Sequence, residues 1–374
     1  MTEPILQFGT SRFLQAHVDL FVSEALDAGQ ALGGITVVQT TANPSSAARV
    51  AAFAGGAGYP VRIRGLQDGT ATDRTVTCRA VQNALQADAD WMQLREAMAS
   101  HVEVVVSNTA DQGYQLDPSD DASLLEPSRV PRSFPAKLLV LLHGRWLRQP
   151  QAPLSLFPCE LIERNGDTLC AAVCALAKQW ALPDAFIAWL RMHCVWANSL
   201  VDRIVSEALH PVGAVAEPYA LWAIERQPRL VLPCTHPAIM LTDDLDHHER
   251  LKLFLLNAGH TFLAERWQAD GHPADLTVVQ AMEHPHLRAE LEALWRDEIV
   301  PVFAALGKRD AAEAYLVSLR ERLLNPYLAH RLADIAQNHA QKKQRRLAPI
   351  VALAQKLGLR IAQPRLNAAL ANSN

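Results

Sequence analysis

Short, nearly unbroken apolar runs alternate with helical stripes through the first half of the chain. Ile5 to Phe8, Ile35 to Val38, Val102 to Ser107 and Leu154 to Phe157 have strand length and are rich in apolar and β-branched residues. Between them the apolar positions move to a helical period. They fall at Phe13, Leu14, Val18, Phe21, Val22 and Leu26 after a turn at Gly9, then in SSAARVAAFA, then from Leu138 to Trp146. Strands covered on both faces lose polar alternation, so the pattern predicts parallel strands with helices packed on either side. The right-handed crossover rule makes this a doubly wound α/β sheet. An extra hairpin is expected at Val61 to Leu66 and Thr75 to Ala80.

From about Gly166 the stripes are mostly helical: Leu169 to Trp180, Ala185 to Trp196, Leu251 to Trp267, Leu287 to Val302, Ala311 to Leu324 and Tyr327 to Ala340. Pro301, Pro326 and Pro349 punctuate them. A chain of 374 residues suits two domains. The Pro- and Thr-containing span Pro228 to Thr242 is the expected boundary, giving a sheet domain over residues 1–240 and a helical one over 241–374.

Composition narrows the function classes. Apolar residues make up 49% and charged residues 20%, as in an ordinary globular enzyme. A net charge of −4 gives no electrostatic case for nucleic acid or an anionic membrane. The basic run Lys342-Lys-Gln-Arg-Arg346 reads as a solvated helix face. No apolar run reaches the ~20 residues that span a bilayer. MTEPILQFGT carries an acid and no basic segment, so a signal peptide is not expected and the location reads as cytoplasmic. The six cysteines show neither CxxC nor a disulfide spacing. Cys170 and Cys174 are expected to pack on a helix rather than join His193 or Cys194 at zinc, and no metal is expected.

Chemistry is concentrated in Lys252-Leu-Phe-Leu-Leu-Asn257-Ala-Gly-His260, with no acid inside the run. A lysine held in an apolar wall loses its preference for the charged form, which suits proton transfer. On an α-helix, Lys252, Asn257 and His260 would lie at about 0°, 140° and 80° around the axis at roughly 100° per residue. The same residues also read as a snorkelling lysine, a capping asparagine and a core histidine.

Other polar groups sit at strand ends. Gly9-Thr-Ser11-Arg-Phe-Leu14 has the first glycine of a phosphate-cradling turn, but Ser11 stands at the second position. It reads equally as a structural strand-to-helix turn. Where an acid would meet a ribose diol, the second strand ends in Gln39-Thr40-Thr41, and Arg49 lies well along the next helix. Ser107-Asn108-Thr109 ends a strand where ligands bind in open α/β sheets. Glu160 and Glu163 in Cys159-Glu160-Leu-Ile-Glu163-Arg-Asn165-Gly166 read as substrate binders or helix caps. Asn198 falls in an apolar, helical context, where a buried amide must be used.

FGTSRFLQAHVDLFVSEAL, SNTADQGY, SFPAKL, PCELIERNGDTL, ANSLVDRIV, KLFLLNAGH and RLLNPYLAHRLADIA occur in that order. Together they resemble the mannitol dehydrogenase family of long-chain polyol dehydrogenases, from Ile5 to about Pro349. The resemblance implies a Rossmann-type dinucleotide-binding domain, a mostly helical substrate domain and metal-independent hydride transfer with NAD, NADP not being excluded. It makes Lys252 the general acid/base, Asn198 and Asn257 amide donors to the reacting oxygen, and His260 an orienting group. Arg322 and His330 would contact the distal end of the substrate. Gly9, Ser11, Arg12, Phe13, Thr40, Asn108 and Thr109 would fall at the cofactor.

The chain departs from the family at Ser11, at Gln15 where an arginine is usual, and in a short Val215 to Asp243 segment. The expected reaction interconverts a keto-sugar acid of the tagaturonate type, a hexuronate, and its hydroxy form. A mannitol- or arabinitol-type polyol dehydrogenase and a non-catalytic nucleotide-binding protein are the alternatives. A sugar acid needs a cationic anchor, with Arg322 the candidate, whereas a polyol needs only neutral hydrogen bonds. Oligomeric state is not legible.

Overall fold

The computed structural model of the chain describes residues 3–41, 44–109 and 113–372. By internal contacts it divides into two compact units. One comprises Met1–Arg62, Thr75–Ala216 and Ala220–Leu245; the other comprises Ile63–Arg74, Glu217–Tyr219 and Asp246–Asn374.

The first unit is built on a six-stranded, wholly parallel sheet. Its spatial order is Val81–Gln86, Ile35–Gln39, Ile5–Phe8, Val104–Ser107, Leu154–Pro158 and Cys194–Trp196. The four runs read from the sequence as strands all lie in it, each with almost every residue buried. Ile5 pairs with Ile35 on one side and with Val104 on the other. The chain therefore builds outward from Ile5–Phe8 in both directions, and the carboxyl ends of Ile5–Phe8 and Val104–Ser107 form the switch point where such sheets bind ligands. Helices Phe134–Arg148 and Asn165–Gln179 bury their apolar faces in a core with Leu6, Phe8, Val105 and Leu156.

Three expectations are corrected here. The stripe from Ala185 to Trp196 is a helix only over Asp184–Met192; Cys194–Trp196 is the sixth strand of the sheet. Three apolar residues in a row carry no period, so a run this short cannot be assigned by pattern. The region after it is also β. Ser199–Asp202, Leu221–Glu225 and Ile239–Thr242 form a three-stranded sheet, and Val205–Ala208 pairs antiparallel with Ala214–Ala216. Asn198 accordingly lies between two strands, not on a helix. The expected hairpin is present as Tyr59–Gln67 and Thr70–Cys78.

The second unit is mostly helical around a core containing Phe254, Leu255, Phe262, Leu294, Trp295 and Phe303. Two of its helices contain a π-helical stretch, Lys252–Asn257 and Leu294–Ile299, where α-helix was expected. The stripe from Tyr327 to Ala340 is not one helix. Leu332–Ile335 ends before Asn338, which takes a left-handed conformation (φ +56°) open to asparagine, and His339–Arg346 begins after it. Among the described residues no helix is long and apolar enough to cross a membrane.

Candidate active site

In the first unit the polar groups expected at a cofactor gather at the carboxyl ends of the central strands. Gly9 has φ +114°, and a Cβ there would stand 2.6 Å from the Asn108 carbonyl oxygen. Only glycine lets these two strand ends approach so closely. Ser11 caps the short helix Arg12–Gln15, its Oγ accepting from the Leu14 N–H at 3.3 Å. Arg12 is exposed, and Phe13 stacks on His17 at 4.8 Å. Gln15 pins the turn: its Nε2 donates to the Thr10 carbonyl at 3.0 Å and its Oε1 accepts from Gly213 N–H at 2.6 Å.

Gln39 ends the second strand as a neutral amide. It accepts from Thr10 Oγ1 at 2.5 Å and donates to Thr41 Oγ1 at 2.8 Å, with Thr40 half-buried between. Arg49, which the sequence placed too far along its helix to matter, reaches this turn, with Nη1 3.1 Å from Thr10 Oγ1.

Asn108 and Thr109 are held by groups from the next strand. Asn108 Nδ2 donates to the Cys159 carbonyl at 3.1 Å. Glu160 is buried and accepts from Ser107 Oγ, the N–H and Oγ1 of Thr109, and Tyr114 Oη, at 2.9–3.1 Å. Four donors satisfy a buried carboxylate without a cation. Glu160 therefore organises the loop, a role absent from both readings of its sequence motif. Residues 110–112 of the SNTADQGY motif lie outside the described residues.

Asn198 is fully buried and its amide is engaged at both ends. Oδ1 accepts from the Asp167 N–H at 3.0 Å in the first turn of Asn165–Gln179, and Nδ2 donates to Glu225 Oε2 at 2.7 Å. Glu225 is also paired with Arg164 at 3.0 Å.

The second unit holds the Lys252 run. A π turn closes i→i+5 rather than i→i+4, so Asn257 comes round toward the azimuth of Lys252, whereas a regular α-helix would leave them about 140° apart. Trp295, on the other π stretch, supports this geometry. Its indole N–H donates to the Leu255 carbonyl at 3.2 Å, and its ring lies so close to Gly259 that a Cβ there would stand 3.0 Å away. Lys252 and Asn257 are half-buried. The side-chain amide of Asn257 has no hydrogen-bond partner among the described residues, while its backbone carbonyl accepts from Thr261 Oγ1 at 2.9 Å.

His260 is buried, with its ring 5.2 Å from that of His330 in an edge-on arrangement. Burial lowers the His330 pKa most, Asp334 opposes it, and the charges of Lys342 and Arg346 lower it further. The buried Nδ1 of His330 has no hydrogen-bond partner among the described residues.

Arg322 is also buried, but its fork is filled. Nε and Nη2 donate to the two carboxylate oxygens of Glu217 at 3.0 and 2.8 Å, and its guanidinium lies 4.1 Å over the Tyr219 ring. The partner, 105 residues away, was not legible in the sequence. The basic run is not a plain solvated face either. Lys343 is buried, 3.0 Å from Glu265 and 2.5 Å from the Asn372 carbonyl oxygen, and His339 also meets Glu265, at 2.8 Å.

A doubly wound parallel sheet with a glycine turn at its switch point, followed by a helical unit carrying lysine and amide side chains on one turn, defines the class of two-domain dinucleotide-dependent dehydrogenases. The chain belongs to the mannitol dehydrogenase family: residues 3–232 match its Rossmann domain and residues 244–372 its C-terminal domain. It is an oxidoreductase acting on a CH–OH group.

An altronate oxidoreductase from Halalkalibacterium halodurans is 30% identical, the match covering 93% of this chain and 70% of that one. One from Klebsiella pneumoniae (strain 342) is 32% identical over 98% of this chain and 78% of that one. Among solved structures, a substrate-free D-sorbitol dehydrogenase superposes with a TM-score of 0.81 at 19% identity, covering 99% of this chain and 80% of the other. Pseudomonas fluorescens mannitol 2-dehydrogenase, in a ternary complex with NAD and D-mannitol, gives 0.76 at 19% identity, covering 99% and 79%. At that identity the likeness establishes the fold.

Proposed function

We propose that the protein is an NAD-dependent reductase interconverting a keto-sugar acid of the hexuronate type and its hydroxy acid, with Lys252 as general acid/base. The observation that carries this reading is the π turn Lys252–Asn257, which brings a lysine and an unengaged amide to one side of a helix. The names of the relatives support the sugar acid, and the NAD in the mannitol 2-dehydrogenase complex supports the cofactor. A bacterial-type metabolic enzyme of this kind acts in the cytoplasm.

The residues present fit a dinucleotide. Gly9, Ser11, Arg12 and Phe13 at the first turn, Gln39 and Thr40 at the second strand end, and Asn108 and Thr109 at the next surround one switch point. Gly9 allows close backbone approach there, and Gln39, its amide engaged by Thr10 and Thr41, shapes the second strand end where an acid would otherwise stand. The nicotinamide, when bound, supplies the hydride for reduction of the carbonyl carbon.

In that direction the Lys252 ammonium donates a proton to the carbonyl oxygen. Asn257 Nδ2 donates a hydrogen bond to the same oxygen as charge develops on it, an effect typically worth about 3–4 kcal/mol. In the oxidative direction neutral Lys252 takes the hydroxyl proton, so that activity rises with pH. His260 and His330 orient the hydroxyls of the substrate. Asn198, whose amide is spent on Asp167 and Glu225, enters as a support of the Asn165–Gln179 helix rather than as a donor to substrate.

The test is NADH consumption with tagaturonate, with a second keto-hexuronate and with the neutral ketose fructose, repeated with NADPH. The expected kcat/KM for a keto-hexuronate exceeds that for fructose at least about tenfold, since a charged group recognised in a built site distinguishes the two. Turnover of fructose alone would move the function to the polyol reading. Cofactor binding without turnover of any substrate would support the non-catalytic one.

A further inference from the structure

A sugar-acid enzyme needs a cation whose charge is not already met, and the arginine expected to supply it, Arg322, is matched by Glu217 on both arms of its fork. A guanidinium paired in this way adds little net attraction for a second carboxylate. In the same unit, a cation with no carboxylate partner among the described residues stands in the last turn of His339–Arg346.

Arg346 is half-buried and meets no carboxylate among the described residues; its one hydrogen bond runs from Nη1 to Thr261 Oγ1 at 3.2 Å. Lys342, one turn earlier, is in the same condition, its Nζ donating only to the Ile335 carbonyl at 2.7 Å. Burial pulls both groups below their usual pKa ranges, and the charge of Arg346 lowers Lys342 further. Placing two cations this close without an acid costs stability unless an anion completes the site. The nearby carboxylate of Asp334 is bound to Arg331 at 3.0 Å. A helix C-terminus favours cations, which accounts for Arg345 and Arg346 in the last turn, but it does not account for a guanidinium reaching in to Thr261.

The location is informative. Thr261 Oγ1 both accepts from Arg346 and donates to the Asn257 carbonyl at 2.9 Å, so the guanidinium stands two hydrogen bonds from the π turn. His330, with its unsatisfied Nδ1, stands against His260 and feels the charges of Lys342 and Arg346. Two cations, the His260–His330 ring pair and the Asn257 amide thus gather in one part of the second unit.

We propose that Arg346, assisted by Lys342, forms the anion subsite that receives the carboxylate of the sugar acid, and that Arg322 with Glu217 forms a charge-neutral wall. Arg346 is then the specificity-determining residue between a hexuronate and a neutral ketose. This rests on the function proposed above and names the contact that would give it its substrate class.

The experiment measures binding of altronate and of its neutral counterpart altritol to the full-length protein with NADH, by titration calorimetry. Wild type, Arg346→Gln, Arg346→Lys, Lys342→Gln and Arg322→Gln are compared, with thermal melts as the folding control. The expected result is that Arg346→Gln lowers the preference for altronate over altritol by about 100-fold, Lys342→Gln by about tenfold and Arg346→Lys by less than Arg346→Gln, without loss of NADH binding. If Arg346→Gln fails to fold, Lys342→Gln and Arg346→Lys still decide the matter. An unchanged preference in the folded Arg346 and Lys342 variants, or its loss in Arg322→Gln alone, overturns the assignment. Altronate binding that depends on Arg346 without turnover of any keto-hexuronate would leave the subsite standing and defeat the function. Turnover indifferent to Arg346 would do the reverse.

Discussion

Lys252 and Asn257 are five residues apart, and five residues is the hydrogen-bond step of the turn that carries them. A proton donor and a hydrogen-bond donor must converge on one oxygen, and a regular α-helix would turn them away from each other. The residue identities were legible because two polar side chains in an apolar run are conspicuous. Their convergence was not, since it depends on the backbone departing from 3.6 residues per turn. The partners of Asn198 and Arg322 were equally hidden: Glu225 lies 27 residues from the one and Glu217 lies 105 from the other, with nothing local to announce either. Asn257→Ala is expected to lower kcat by about 10²- to 10³-fold, the usual cost of one preorganised donor to a developing oxyanion, with NADH affinity retained. A stopped-flow measurement showing kcat within a fewfold of wild type would remove Asn257 from the reaction.

At the scale of elements, the strands buried throughout between helices were read correctly, whereas the β segment after Asp184–Met192 was missed and the long stripe Tyr327 to Ala340 is two helices. Ile5–Phe8, Ile35–Gln39, Val104–Ser107 and Leu154–Pro158 announce themselves by unbroken burial. Cys194–Trp196 and the strands that follow have three to five residues each, too few to separate a period of two from one of 3.6. The basic helix His339–Arg346 misled in another way. Charge pattern suggested solvent, yet Lys343 and His339 close on Glu265. Burial alone would raise the Glu265 pKa, and the bonds from Asn372, Lys343 and His339 more than offset it. The two π stretches support each other through Trp295. Trp295→Phe keeps most of the ring volume and deletes the N–H to the Leu255 carbonyl, at an expected cost of about 1–2 kcal/mol. If that bond holds the π turn in shape, kcat falls with stability. A variant with lowered melting temperature and unaltered kcat would show that the turn holds without it.

For the whole molecule, the acid–base behaviour of the first unit has one dominant buried group. Asp19 is completely buried, with Tyr59 Oη donating to its Oδ2 at 2.7 Å. Burial raises its pKa from 3.8 to about 7, against the opposing pull of hydrogen bonds from Tyr59 and Gln7. The folded state therefore keeps a proton that the unfolded chain releases near pH 3.8. Asp19's own contribution to stability is fully present below that pH and declines as pH rises toward 7, by up to about 4 kcal/mol at 1.36 kcal/mol per pKa unit. Asp19→Asn should flatten this decline in denaturant melts taken from pH 4 to 8. An identical slope in the variant would assign the pH dependence to other groups.

Family and fold class follow from features spread over the whole chain, and a sequence carries these well. The substrate rests on a few groups within the helical unit, and there the sequence offered Arg322 where the geometry leaves Arg346 uncompensated. The central claim is that Lys252 moves the proton in a nicotinamide-dependent reduction. The most direct measurement compares single-turnover NADH oxidation by wild type and Lys252→Ala with a saturating keto-hexuronate, alongside NADH binding by tryptophan fluorescence. The account predicts binding within a fewfold of wild type and a turnover rate lower by at least about 10²-fold. A Lys252→Ala enzyme that binds NADH and turns over at the wild-type rate would contradict it.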